Sequence, residues 1–211
     1  MFNCQKYTEI SDFIAKIGIK TKIVAISKNY PAEDVLSALA CGVHIFGENR
    51  VQEAKNKFEN LPNKNESIEL HLTGPLQTNK VKQALDIFDV FHTLDREKLL
   101  KEFSKFPEKI SSKSFFIQVN TGKEDSKSGV YPDKVEPFFD LCKTFGLKNI
   151  RGLMCIPPIN ENPKKHFQIL FDIKEKLGLE DLSIGMSGDY LEALKFNPTY
   201  IRLGTILFGK K

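Results

Sequence analysis

The sequence predicts an α/β protein folded as a (β/α)8 TIM-type barrel with one additional N-terminal helix. Eight short apolar segments alternate with segments whose apolar residues recur about every 3.6 positions, as expected for strands and covering helices. The chain has 211 residues, 41% of them hydrophobic, which suffices for one large core near the lower size limit of such barrels. No long linker or repeat divides it, so residues 1–211 are expected to form one domain. An open doubly wound sheet is the main alternative.

The predicted strands are short apolar runs, and each would be returned to a parallel neighbour by the segment that follows it. They span residues 22–27, 43–47, 70–73, 90–94, 114–120, 150–156, 182–186 and 200–208.

Six helices are predicted between these strands from the spacing of their apolar residues. Those residues are Val35, Leu36 and Leu39; Val51, Ala54 and Phe58; Val81, Leu85 and Phe88; Leu99, Leu100 and Phe103; Val135, Phe138, Phe139 and Cys142; and Phe167, Leu170, Phe171 and Ile173. A leading helix over 7–17, which would place Ile10, Phe13, Ile14 and Ile17 on one face, is expected to cover the bottom of the barrel.

Residues typical of helix ends agree with these positions. Asp95 is a candidate N-cap, Pro31 and Pro132 stand at helix starts, and Gly146 and Gly178 stand at helix ends.

Composition argues against several classes of protein. The net charge of +4 comes from 31 basic and 27 acidic residues spread along the chain, which favours a small anionic ligand over nucleic acid. No signal peptide or membrane-spanning run is visible, and the four cysteines form no CxxC pair and are expected to be reduced, so we expect a cytoplasmic protein. The four histidines lack ligand spacing, so no metal is expected, and His92 is interpreted as a satisfied strand histidine.

Polar residues follow the strands at the end that forms the functional face of such barrels. Lys28 follows the first strand, where a lysine partly shielded from water could attack an aldehyde; a solvated loop lysine is the alternative. Arg202 lies within an apolar strand and needs an acceptor, either in an ion pair or on the ring nitrogen of a cofactor. Glu48 is interpreted as a ligand at this rim or as a partner of Arg50 or Lys80.

The loops after strands 7 and 8 have the composition of a phosphate site. They contain Gly185-Met186-Ser187-Gly188-Asp189 and Arg202-Leu203-Gly204-Thr205, where glycines allow close approach of backbone N–H groups and hydroxyls can donate further hydrogen bonds. An aldehyde-reactive lysine, a phosphate site and an arginine facing a ring together point to pyridoxal 5'-phosphate (PLP).

At these residues the chain closely resembles the pyridoxal phosphate homeostasis protein family over roughly residues 22–209. The matching motifs are VAISK at 24–28, FGENRVQE at 46–53, HLTGPLQTNK at 71–80, QVN at 118–120, KSG at 127–129, RGLM at 151–154, MSGD at 186–189 and IRLGT at 201–205. That family is similar to the barrel domain of alanine racemases and of eukaryotic ornithine decarboxylases but stands as a single domain. The chain departs from it in a short segment before the first strand and in Asn29-Tyr30, where threonine-lysine is more usual.

The resemblance implies a role for each matching residue. Lys28 would form a covalent aldimine with PLP, Arg202 would approach the pyridine nitrogen, and the remaining contacts fall into two groups. Ser187, Gly188, Gly204 and Thr205 would contact the phosphate, while Asn49, His71 and Met154 would line the ring pocket.

The expected function is PLP homeostasis without catalytic turnover, with release of PLP to PLP-dependent apoenzymes. In the racemases a second domain supplies a tyrosine base, and none of the five tyrosines here can be placed as that base. The alternative is a small PLP-dependent amino-acid racemase that uses Tyr30 or His71 as acid or base. A phosphosugar isomerase is also considered, but no carboxylate follows strand 6 before Glu161. A closed barrel has no open sheet edge, so a monomer is expected.

Overall fold

The computed structural model of the protein describes residues 1–59, 61 and 68–209. Within them, eight parallel strands form a closed barrel in chain order, with β8 paired to β1. The strands are β1 Lys22–Ile26, β2 Ile45–Glu48, β3 Glu69–Leu72, β4 Val90–Leu94, β5 Ser114–Val119, β6 Ile150–Cys155, β7 Asp181–Ser183 and β8 Tyr200–Leu203. The predicted barrel is confirmed, and the open sheet is excluded.

Helices connect successive strands and surround the barrel. They are α1 Cys4–Lys16, α2 Ala32–Leu39, α3 Val51–Phe58, α4 Val81–Ile87, α5 Glu97–Phe103, α6 Pro107–Ile110, α7 Val135–Thr144, α8 Pro163–Leu177, α9 Tyr190–Ala193 and α10 Thr205–Phe208, with 3-10 turns at Thr78–Lys80, Pro132–Lys134 and Leu194–Phe196. No helix in the described ranges is both long and apolar enough to cross a membrane.

The eighth strand is shorter than predicted. It ends at Leu203 because the backbone turns at Gly204, and 205–208 form the short helix α10 instead of continuing the strand. Gly204 and Thr205 therefore lie beyond the strand, at the mouth of the barrel.

Strand side chains alternate between two cores. Ile23 and Ala25 of β1 belong to the large core between the barrel and its helices. Val24 belongs to a smaller cluster with Val90, Phe116, Met154 and Tyr200, which fills the inside of the barrel. This period-two alternation decides which side chains face the barrel interior.

Four of the five residues predicted at helix ends are confirmed and one is wrong. Gly146 follows the C-cap of α7 in the left-handed conformation, with φ of 83°. Gly178 ends α8 in the left-handed conformation, with φ of 64°. Pro31 directly precedes α2, and Pro132 begins a 3-10 turn. Asp95 does not cap α5, because the helix begins only after Arg96 and the Asp95 carboxylate instead accepts a hydrogen bond from the Arg96 guanidinium.

The N-terminal helix is present, but only half of its predicted face is buried. Ile10 and Ile14 are buried, whereas Phe13 and Ile17 are each 43% exposed. Residues of α1 border a cavity beside the N-terminal ends of β1 and β2, and the Asn3 N–H donates to the Leu207 carbonyl.

The prediction of four unpaired cysteines is wrong. Cys4 at the start of α1 and Cys41 just after α2 form a disulfide, while Cys142 and Cys155 are free and buried. Thirty-seven positions separate the paired cysteines in the sequence. Their proximity depends on how α1 packs beside α2, which residue spacing does not reveal.

Candidate cofactor site

A cavity of about 290 Å³ opens at the carboxyl ends of the strands. It is lined by Ile26, Lys28, Asn49, Thr73, Ile156, Met186, Ser187, Gly188, Arg202, Gly204 and Thr205. Seven of the nine sequence-predicted cofactor residues are in this lining; His71 and Met154 are not. The loops after β1, β7 and β8 thus meet around one space, as the barrel order requires.

Lys28 lies at the edge of this cavity, two residues beyond β1, and its side chain is exposed. That this amine is partly shielded from water stays a prediction. Its loop is fixed by neighbouring elements. Asn29 has a left-handed backbone with φ of 65°, and its N–H donates to the Glu53 carboxylate of α3. The Tyr30 hydroxyl donates to the Gly209 carbonyl at 2.6 Å, and the ring stacks on Phe208.

A buried charge network lies directly below the Lys28 loop. The Lys57 ammonium donates to the Glu48 carboxylate at 2.6 Å and to the Ser27 carbonyl at 2.7 Å, and the Ser27 hydroxyl donates to Glu48 at 2.7 Å. Burial raises the pKa of Glu48, opposed by the hydrogen bonds from Lys57 and Ser27. Glu48 is fully buried and pairs with Lys57, so the expected rim position and the pairing with Arg50 or Lys80 are wrong.

The loops after β7 and β8 form the opposite wall of the cavity. Gly185 needs its left-handed backbone, with φ of 88°, and a side chain there would overlap Ala193. The Asp189 carboxylate accepts a hydrogen bond from the Met186 N–H, which closes the turn. The space above Gly188 is open, and the Ser187 hydroxyl accepts a long hydrogen bond from the Ile206 N–H in α10. The Ser187 and Thr205 hydroxyls and the open space at Gly188 therefore border the cavity where an anion would fit.

Arg202 is buried at the floor of the cavity. Its guanidinium donates to the Ser183 carbonyl at 2.6 Å, to the Ser183 hydroxyl at 2.7 Å and to the Cys155 carbonyl at 2.9 Å. Burial lowers the pKa of Arg202. A guanidinium has five N–H donors, and the hydrogen bonds of this one within the described residues go to Ser183 and Cys155 and to no acidic side chain. The arginine thus keeps donor capacity for a ligand in the cavity it lines.

The two predicted residues outside the lining lie deeper in the barrel. Met154 belongs to the apolar cluster of the interior and is fully buried. His71 is also fully buried, with one ring nitrogen 2.8 Å from His92 and the other 2.7 Å from the Glu69 carboxylate. His92 of β4 is a satisfied strand histidine, as predicted, with hydrogen bonds to His71 of β3 and to the Ser183 hydroxyl of β7.

A second and larger cavity of about 810 Å³ adjoins the first at Asn49. It is lined by Arg50, Lys80 and Arg96 together with polar residues of the loops after β2, β3 and β4. Arg96 is paired with Asp95, while Arg50 and Lys80 have no acidic partner in the described part of the chain. Its lining contains no glycine, which leaves the smaller cavity as the better phosphate site. Elsewhere among residues 1–59, 61 and 68–209, no group of three or more His, Cys, Asp or Glu side chains could hold a metal ion.

Comparison with known proteins places this chain among barrels of one type. A family model described as alanine racemase, N-terminal domain, matches residues 6–211. The pyridoxal phosphate homeostasis protein of Aquifex aeolicus is 38% identical over 203 residues, covering 90% of this chain and 87% of that relative. The protein of the same name from Synechocystis sp. is 33% identical and is covered over its full length.

Solved structures extend the likeness to the whole barrel. PipY of Synechococcus elongatus, solved with PLP bound, is 28% identical with a TM-score of 0.83, over 98% of this chain and 99% of PipY. Alanine racemase from Acinetobacter baumannii has a TM-score of 0.75 at 16% identity, and this chain covers 63% of it. That second likeness concerns the fold alone.

Proposed function

Since this chain belongs to the pyridoxal phosphate homeostasis protein family, we propose that it holds PLP on Lys28 as a Schiff base, without catalytic turnover, and releases it to PLP-dependent apoenzymes. The observation that carries this proposal is the meeting of Lys28, the Ser187-Gly188 loop, the Gly204-Thr205 loop and Arg202 around one cavity. An amine, an anion site and a ring-facing donor are the three groups that this cofactor requires.

Each of these groups would have a separate task. The Lys28 Nζ would form a C=N bond to the aldehyde carbon of PLP with loss of one water molecule. Ser187, Gly188, Gly204 and Thr205 would bind the phosphate through hydroxyl and backbone N–H groups. Arg202 would donate to the pyridine nitrogen, and Asn49 would lie beside the ring.

Two features of the site support holding over turnover. A permanent donor at Arg202 keeps the ring nitrogen unprotonated, which weakens the ring as an acceptor of carbanion electrons. Alanine racemases are similar in using an arginine at this nitrogen, so the arginine alone does not distinguish holding from racemisation. Among the residues that line the cavity, Lys28 is the only side chain suited to general acid–base work, because Tyr30 and His71 are both absent from the lining.

A spectroscopic experiment tests the attachment. Purified protein loaded with PLP is expected to show the absorbance band of the bound cofactor, and borohydride reduction should fix a pyridoxyl group on the peptide that contains Lys28, as mass spectrometry would reveal. Lys28→Ala should lose both signals. Lys80→Ala, which removes an amine from the adjoining cavity, should keep them. An unchanged band in Lys28→Ala would refute the attachment.

A second experiment separates the carrier from the racemase. The protein loaded with PLP is incubated with L- and D-alanine in deuterated water, and exchange of the α-proton is followed by NMR. The proposal predicts no exchange above that of free PLP. Transfer is tested separately, by adding the loaded protein to an apoenzyme and measuring the activity that the apoenzyme recovers.

We further propose that the protein is cytoplasmic and monomeric. Light scattering on the pure protein would check that it is a monomer.

A further inference from the structure

A continuous line of hydrogen bonds crosses the inside of the barrel and ends at Arg202. The Glu69 carboxylate lies 2.7 Å from His71 Nε2, and His71 Nδ1 lies 2.8 Å from His92 Nε2. His92 Nδ1 lies 2.9 Å from the Ser183 hydroxyl, which accepts from the Arg202 guanidinium at 2.7 Å. These residues belong to β3, β4, β7 and β8, so the His92–Ser183 bond spans the barrel interior. His71, His92 and Ser183 are completely buried, whereas the Glu69 side chain is 38% exposed.

The two ends of this line fix the direction of every hydrogen bond within it. At one end, Arg202 can only donate, so the Ser183 oxygen accepts and its own proton is available for His92 Nδ1. At the other end, the hydrogen bond from His71 lowers the pKa of Glu69, so the carboxylate accepts from His71 Nε2. Both rings are completely buried, and burial lowers the pKa of each, which favours the uncharged ring with a single proton. That proton must then lie on Nε2 in both rings.

We propose that Ser183, His92 and His71 form a one-way hydrogen-bond chain, anchored on Glu69, that holds the Arg202 guanidinium in the orientation needed to bind the cofactor ring. The proposal rests on the proposed function, because it assigns these three as positioning residues for the arginine that would face PLP. None of them lines the cofactor cavity, so they act through Arg202.

The surroundings of the chain favour this single arrangement. His92 is stacked on Phe116 at 4.8 Å with an interplanar angle of 10°, and the Tyr200 ring packs edge-on against His71 at 4.9 Å. Both imidazoles are thereby held in place. Because Ser183 is completely buried, its hydroxyl cannot donate to bulk water, and its proton stays directed at His92.

The direction of the chain is tested on the protein without PLP. With ¹⁵N-labelled histidine, two-bond nitrogen–proton correlation NMR reports which ring nitrogen carries the proton, and His71→Gln and His92→Gln spectra assign the signals. The expected result is a single uncharged tautomer, protonated on Nε2, for both His71 and His92. A His92 ring protonated on Nδ1 would overturn the proposal. This result does not depend on PLP binding, so it separates this proposal from the proposed function.

The positioning role is tested with Ser183→Ala, which removes the hydroxyl and leaves the bonds from Arg202 to the two carbonyls intact. We expect PLP to bind about tenfold more weakly, as for loss of one hydrogen bond to a charged group, and the absorption maximum of the bound cofactor to shift. Thr93→Val is the control, because it removes another buried hydroxyl, one that has no hydrogen-bond partner in the described part of the chain. It should change neither quantity. Equal PLP affinity and spectrum in Ser183→Ala and the original protein would overturn the positioning role.

Discussion

Lys57 carries a buried positive charge beneath the loop that presents Lys28, where it donates to Glu48 Oε1 and to the Ser27 carbonyl. Lys57→Met leaves the Glu48 carboxylate buried without its cation, so the free energy of unfolding should fall by about 3–5 kcal/mol. Urea unfolding measures this change. Lys55→Met is the control on the same helix, because the Lys55 side chain is 39% exposed and its ion pair with Glu59 is long. Its effect should stay within about 0.5 kcal/mol, and equal losses in the two variants would contradict the prediction.

The same residues show what could be predicted from sequence at this scale. Lys28 and Arg202 were identified because their positions relative to the strand ends follow from the order of the barrel. His71 and Met154 were predicted to line the ring pocket, but they lie deeper in the barrel than the cavity. The alternation along a strand determines that a side chain faces the barrel interior, and it does not determine how far below the mouth of the barrel that side chain lies. Lys57 was missed because its partner Glu48 belongs to another element, so nothing local indicates that a lysine in α3 is buried.

At the scale of the element, Gly152 of β6 leaves no room for a side chain against β7. A Cβ atom there would lie 1.9 Å from the backbone carbonyl oxygen of Asp181, which pairs with Gly152 across the two strands. Gly152→Ala should therefore force the strands apart and lower the free energy of unfolding by about 3 kcal/mol or more. Gly188→Ala is the matched control, because nothing lies within 4 Å of its Cβ position. Similar urea midpoints for the two variants, measured without PLP, would contradict this prediction.

Element boundaries were predicted best where the sequence changes character abruptly. β4 has the predicted limits, since Val90–Leu94 lies between a helix and a polar loop. The predicted eighth strand was too long because 205–208 is as apolar as a strand, and one turn of helix cannot be told from an extended run by periodicity. The face of α1 was half wrong for a related reason: Phe13 and Ile17 satisfy the helical period but are each 43% exposed, and the period does not show how much of a helix face other elements cover.

At the scale of the whole molecule, the barrel was predictable because strand-like and helix-like segments alternate along the sequence, as the order of strands in the barrel requires. Six of the seven crossovers have a helix-forming pattern, and the strand order then follows from parallel neighbours in sequence. The Cys4–Cys41 disulfide was not predictable in this way, because it joins two helices whose packing depends on side chains from several elements. A disulfide is uncommon in a reducing cytosol, so the redox state of this pair in cell extract is informative about the proposed compartment.

The interior histidines make the stability of the whole barrel depend on pH. Burial lowers the pKa of His71, which faces Glu69, Asp89 and Lys22, and lowers that of His92 further, with His71 and Arg202 adding repulsion. Below the ordinary value of 6.5 the unfolded chain takes up protons that the folded barrel does not. Stability is therefore fully present above that pH and is lost as the pH falls, by up to about 1.4 kcal/mol per pH unit for each histidine.

Replacing one of these histidines should reduce that dependence. The free energy of unfolding of His92→Gln, measured in urea between about pH 5 and 7, should depend less steeply on pH than that of the unaltered protein. The two slopes should differ by close to the value for one proton, about 1.4 kcal/mol per pH unit. The raised pKa of Glu48 contributes the opposite slope, but it is present in both proteins and cancels in the comparison. His44→Gln is the control, because His44 is exposed and packs in neither core. If His92→Gln and His44→Gln have the same pH dependence, His92 is protonated in the folded barrel, and the one-way chain to Arg202 would have to be abandoned with it.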